Sequence, residues 1–115
     1  MDKLDLPFDP EAFPILHYDP NTEALLNPAD IAPEIDLPKH VVMCFFREVI
    51  DKVVKEHDAK LLFTNKSECS DHPFYEIDYQ GKRIAFFTPG VGAPLAAGLM
   101  DEAIQMGGEH FIAVG

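Results

Sequence analysis

Apolar positions along this chain fall into blocks whose spacing changes from one block to the next. Val41-Val42-Met43-Cys44-Phe45-Phe46 is a continuous apolar run, the composition of a strand buried on both faces. Directly after it, Phe46, Val49, Ile50, Val53 and Val54 recur at helical spacing. Charged residues from Arg47 to Glu56 fill the gaps, and the pattern predicts an amphipathic helix. Leu61-Leu62-Phe63-Thr64 predicts a short strand, and residues 65–72 a polar connection. Tyr75, Ile77 and Tyr79 then alternate with Glu76, Asp78 and Gln80, the period of a strand with one wet face. Gln80-Gly81 marks a tight hairpin turn that returns through residues 82–88.

The stretch from Lys82 onward is the most informative. Ile84 to Thr88 reads as a buried strand, and Pro89-Gly90-Val91-Gly92 breaks it. Pro94 stands where the first turn of a helix tolerates a missing N–H. Leu95, Leu99 and Met106 mark one side of that helix, and Ala96, Met100 and Ile104 an adjoining one. Gly107-Gly108 offers a C-terminal residue able to take positive φ, and Phe111-Ile112-Ala113-Val114 is the next strand. A strand, crossover helix and strand of this length predict two parallel strands. Ligands of open parallel sheets sit beyond the carboxyl ends of the strands. Here those ends are the Gly90-Val91-Gly92 loop and Gly115, so the site is expected where the chain stops, as in the first half of a larger domain.

Residues 1–38 are of another character. They hold seven of the ten prolines and a net charge of −8, against −3 for residues 39–115. Long helix is excluded there by proline, yet Phe8, Phe13, Ile15, Leu16, Leu25, Leu26, Ile31, Ile35 and Leu37 are too many apolar residues for a solvated tail. The expectation is an extended, proline-rich acidic arm packed on the body or on a neighbouring subunit, with one helical turn in residues 22–26. Residues 39–115 form the body.

Composition narrows the function. A net charge of −11 argues against nucleic acid, whose phosphates would be repelled. No apolar run approaches the ~20 residues of a membrane helix, and the acidic start lacks the order of a signal peptide. Cys44 and Cys69 have neither metal-ligand spacing nor the density of a disulfide scaffold, and the five histidines form no metal-spaced cluster. The expectation is a cytoplasmic protein without metal or organic cofactor.

Three segments together resemble one family: the hairpin through Gln80-Gly81-Lys82, the loop Thr88-Pro89-Gly90-Val91-Gly92-Ala93-Pro94, and the helix end Met100-Asp101-Glu102-Ala103-Ile104-Gln105-Met106-Gly107. The family is the nucleoside phosphorylase superfamily, with its T-G-[IV]-G-x-[PS] loop and E-x-[LI]-x-x-[LM]-G helix. Phe111-Ile112-Ala113-Val114-Gly115 looks like the strand that enters its glycine-rich phosphate loop. The resemblance runs best from Phe74 to Gly115. It implies an α/β fold with a mixed, partly parallel sheet flanked by helices, the N-terminal half of a phosphorylase/hydrolase-like three-layer domain. It further implies that the parent protein cleaves the N-glycosidic bond of a nucleoside, with inorganic phosphate or water as nucleophile, as a homo-oligomer. By itself the chain is expected to be inactive, because the family's base-binding and ribose-binding groups lie mostly further on.

The departures concern phosphate. Where the family carries a G-D-P-x-R turn this chain reads Phe45-Phe46-Arg47-Glu48, and Ala113 stands at a position usually held by arginine. The arginine that members bring across a subunit interface has no match near Ser70-Asp71-His72. Phosphate recognition normally uses such arginines and backbone amides, so water as nucleophile, or a lost activity, gains ground.

The candidate phosphate or substrate contacts are therefore Arg47, Gly90, Val91, Gly92 and Gly115. Each has a plainer reading. Arg47 either holds an anion or is a helix residue paired with Asp51 four positions on. The glycines either let a ligand approach the backbone or only turn the chain. The resemblance implies a ribose contact to a neighbouring subunit for His17, which otherwise reads as a surface histidine. Cys44 reads as a small core residue, and Glu76 and Asp78 as a wet strand face. A non-catalytic ligand-binding or assembly module with the same fold is the alternative to an enzyme. A Rossmann-like half-domain is disfavoured by the hairpin within the sheet.

Overall fold

A computed structural model describes residues 20–115. The elements, in chain order, are α1 (Pro28–Ile31), β1 (His40–Cys44), α2 (Arg47–Glu56), β2 (Lys60–Lys66), β3 (Asp71–Tyr79), β4 (Lys82–Phe87), α3 (Ala93–Gln105) and β5 (His110–Val114). All five strands join one sheet in the order β2-β3-β4-β1-β5. β1 runs parallel to both β4 and β5, while β3 runs antiparallel to β2 and β4. The strands that flank α3 in sequence thus lie on either side of β1. Three strand ends, those of β1, β4 and β5, share one edge of the sheet.

Local chemistry explains the turns that set this order. Gln80 and Gly81 both have positive φ (53° and 77°), the geometry of a two-residue turn whose twist matches the strands it joins. Asp78 Oδ1 accepts a hydrogen bond from the Gly81 N–H at 3.0 Å and closes the turn. At the far end of α3, Gly107 takes φ of 119°. Its N–H reaches the Ile104 carbonyl, and the Gly108 N–H reaches that of Ala103 at 2.9 Å. This pair of bonds is the Schellman arrangement, which satisfies carbonyls the helix leaves open.

Side chains alternate across the sheet and build a core on each face. Val41, Met43, Phe74, Ala85 and Phe87 lie on the side covered by α3, through Leu99, Ala103 and Met106. Phe74 and Phe87 are fully buried there, and their rings stack at 4.3 Å. On the other face Cys44 and Phe86 meet Ile50 of α2, with Val53 and Val54 packed alongside. The chain ahead of β1 joins the first core. Leu37 is buried and its N–H bonds the Met106 carbonyl, while Ala32 and Ile35 pack against the same cluster. Arg83 holds this approach through Asp36 and pairs with Glu76 on the neighbouring strand. The hydrogen bonds it donates to Glu76 and then Asp36 push its guanidinium pKa up from an already high value. Among the described residues no helix is long and apolar enough to cross a membrane.

Several sequence expectations shift in detail. The single helical turn lies at Pro28–Ile31 rather than in residues 22–26, because Pro28 presets the first-turn φ and has no N–H to leave unmet. β1 stops at Cys44, and Phe45 and Phe46 turn outward, 46% and 54% exposed, as the chain enters α2. Residues 65–72 are not a simple connection, since β2 runs on to Lys66 and β3 begins at Asp71. Backbone pairing of Asn65 with His72 and Lys66 with Asp71 needs no apolar periodicity, so the pattern could not show it. On α3 the core face is Ala96, Leu99, Met100, Ala103 and Met106, whereas Leu95 and Ile104 sit at its margins.

Candidate functional site

At the edge where the parallel strands end, a cavity of about 170 Å³ opens between α2 and the start of β3. Arg47, Ile50 and Asp51 line it from the first turns of α2. Ser70, Asp71, His72, Pro73 and Tyr75 line it from β3 and the turn before it, and Thr88 and Gly90 from the loop after β4. Pockets for whole small molecules usually measure about 300 to 1,000 Å³. This one has room for a sugar ring or a phosphate, not for a complete nucleoside. Its lining carries one guanidinium and two carboxylates, so its charge does not favour an anion.

His72 is the buried polar group of the lining, with 5% of its surface exposed. Its Nε2 faces two hydroxyls, Ser70 Oγ at 3.2 Å and Ser67 Oγ at 3.4 Å. The serines belong to a closed turn. Ser67 Oγ donates to the Ser70 carbonyl at 2.7 Å and accepts from the Ser70 N–H at 3.2 Å. Sequence reasoning did not single out His72. The available signal was the spacing of Ser67, Ser70 and His72, two hydroxyls placed to hold one ring at a strand start.

The candidates read from sequence separate clearly. Arg47 and Gly90 both line the cavity. Arg47 is an exposed helix residue, as its plainer reading had it, but it makes no ion pair with Asp51 or with any other described residue. Gly90 has φ of 76°, and a side chain there would meet Leu95 and the His72 ring. Gly92 is the N-cap of α3, outside the lining. Val91 projects into solvent, 93% exposed. Gly115 lies against the Phe45 ring on the same sheet edge, away from the cavity. His17 lies outside the described residues.

Other chemistry-bearing groups have structural roles. Cys44 is buried, with Sγ 3.6 Å from the Phe46 carbonyl, and Cys69 is exposed. Glu76 is held by Arg83, and Asp78 closes the hairpin turn. His40 and His110 pair in register on β1 and β5 and stack at 5.1 Å. They flank a wider, more apolar hollow of about 310 Å³ with Lys82 and Ile84, at the opposite, amino ends of the parallel strands. Among the described residues no group of three or more His, Cys, Asp or Glu side chains is placed to hold a metal.

No protein-family model matches the sequence, and no curated protein matches it. Solved structures do. Uridine phosphorylase from Vibrio fischeri is similar over 70% of this chain and 34% of its own, with 24% identity and a TM-score of 0.59. The same enzyme complexed with 6-hydroxy-1-naphthoic acid gives a TM-score of 0.58 at 24% identity, over 69% of this chain and 31% of its own. Purine nucleoside phosphorylase from Toxoplasma gondii, in complex with immucillin-H, gives 0.58 at 17% identity over 72% of this chain and 34% of its own. The chain spans about a third of the length of the solved structures it matches. The five-stranded mixed sheet flanked by helices therefore shares the fold of about a third of the nucleoside phosphorylase chain.

Proposed function

We propose that this chain forms the strand-end part of a site that binds a nucleoside and, in the complete protein, serves cleavage of its N-glycosidic bond. The observation that carries the reading is the convergence of Arg47, Thr88, Gly90 and His72 on one cavity at the carboxyl ends of β1 and β4, in a fold shared with uridine and purine nucleoside phosphorylases. Cleavage of this bond builds positive charge on the sugar. The protein's part is orientation and electrostatic stabilisation rather than covalent chemistry. Asp51 and Asp71 at the rim suit a sugar that becomes cationic, and they disfavour a phosphate anion beside it. Water is therefore the favoured nucleophile, and Arg47 the anchor for an oxygen of the substrate.

The cavity is smaller than a nucleoside, so the 115-residue chain alone is expected to bind weakly and to release no base. Chromatography of free base after incubation with uridine or inosine, with and without phosphate, tests this. Base release by the chain alone would contradict it, and release that requires phosphate would overturn water as nucleophile. Calorimetry with Arg47→Ala tests the site itself: nucleoside affinity should fall about tenfold, the cost of one lost charge-assisted hydrogen bond.

A non-catalytic binding or assembly module is the second reading, and the single cation of the lining is what favours it. Self-association belongs to the same proposal. β5 is a sheet edge with Ile112 63% and Val114 40% exposed, without the lysines that protect the β2 edge at Lys60 and Lys66.

A further inference from the structure

We infer that His72 is a ligand contact, a hydrogen-bond acceptor that the Ser67–Ser70 turn fixes with its Nδ1 open to the cavity. The inference rests on reading the cavity as the nucleoside site, and it adds the type of group the site recognises there: a hydroxyl or N–H donor, not an anion.

A serine hydroxyl has one proton to give. Ser67 gives its proton to the Ser70 carbonyl at 2.7 Å, so toward His72 it can only accept. A bare Nε2 could accept the Ser70 hydroxyl, but it would set its lone pair against a lone pair of Ser67 Oγ at 3.4 Å. With the proton on Nε2, the ring donates to both flanking oxygens, at 3.2 and 3.4 Å, and no such conflict arises. The neutral ring then carries its free lone pair on Nδ1. Nδ1 has no hydrogen-bond partner among the described residues, yet no side-chain nitrogen or oxygen among them is both sealed from solvent and unpaired. Nδ1 is therefore not sealed from solvent, and His72 lines the cavity. A residue nineteen-twentieths buried, lining a cavity and keeping one unpaired polar atom unsealed, is placed for a ligand. Gly90 lines the same cavity, and a Cβ there would be in ordinary contact with His72 Cε1 at 3.4 Å. The charged groups that face the ring across the cavity are Arg47, Asp51 and Asp71. A nucleoside offers ribose hydroxyls and base N–H groups as the matching donors.

The test is long-range ¹H–¹⁵N correlation of the histidine side chains in the ¹⁵N-labelled chain at neutral pH, first without ligand. The His72 resonances are identified by their loss in His72→Gln. If that variant does not fold, they are identified by their response to the Ser67→Ala/Ser70→Ala double variant. The expected spectrum shows His72 as the Nε2–H tautomer, and the double variant mixes the two tautomers. Uridine or inosine should then move the Nδ1 resonance, and His72→Gln should weaken nucleoside binding about tenfold. A ligand-free spectrum in the Nδ1–H form overturns the assignment, whatever binds. An Nε2–H spectrum with a nucleoside bound but Nδ1 unmoved overturns the contact. An Nε2–H spectrum with no nucleoside binding at all contradicts the nucleoside reading, and the ligand half of this inference falls with it.

Discussion

Phe74 and Phe87 show what single residues contribute here. Both are fully buried, stacked across the β3–β4 pair at 4.3 Å beneath α3. Phe87→Ala should destabilise the chain by about 3 to 5 kcal/mol, transfer loss plus residual cavity, as read from urea unfolding. Arg47 is the contrast. It is exposed and pairs with no described residue, so Arg47→Ala should change stability by no more than about 0.5 kcal/mol while weakening nucleoside binding. A variant that lost both together would mean that Arg47 holds the fold, and its role as a ligand anchor would fall. His72 lies between these cases: buried like a core residue, but with one ring nitrogen that no described residue pairs.

Among the elements, α3 and its caps place the loop that lines the site. Gly107 at φ 119° begins the Schellman closure that sends the chain back into β5. Gly107→Ala should cost roughly 1 to 2 kcal/mol, since an L side chain is strained at that φ. Thermal unfolding reads this directly, and an unchanged midpoint would show that the closure carries little of the stability. This element was legible in the sequence, because Pro94 and Gly107-Gly108 bracket it and only glycine is at ease in such a cap. The Gln80-Gly81 hairpin was legible for a similar reason, and the place of Arg47 and Gly90 just beyond parallel strands followed from the order of strand, loop and helix. Those signals are local. The extension of β2 and β3 through residues 65–72 was not legible, because pairing there is carried by backbone groups that leave no apolar alternation. His72 was lost with it: its partners Ser67 and Ser70 come close only once that turn closes. The outward turn of Phe45 and Phe46 was hidden as well, since an apolar run does not say where its strand stops.

For the whole molecule, the gathering of strand ends decides the account. The ends of β1 and β4 bring Arg47, Thr88 and Gly90 to one cavity, whereas the wider apolar hollow lies at the opposite ends, beside His40, Lys82 and His110. The exposed β5 edge adds an expectation of its own, association that rises with concentration in sedimentation experiments and is weakened by Ile112→Lys. A strictly monomeric chain at high concentration would contradict it. The central claim is that the strand-end cavity is the nucleoside site. Backbone amide shift mapping of the ¹⁵N-labelled chain, titrated with uridine and with inosine, tests it most directly. The account predicts shifts centred on Arg47, His72, Thr88 and Gly90. Shifts centred on His40, Lys82 and His110, or none with either nucleoside, would contradict it.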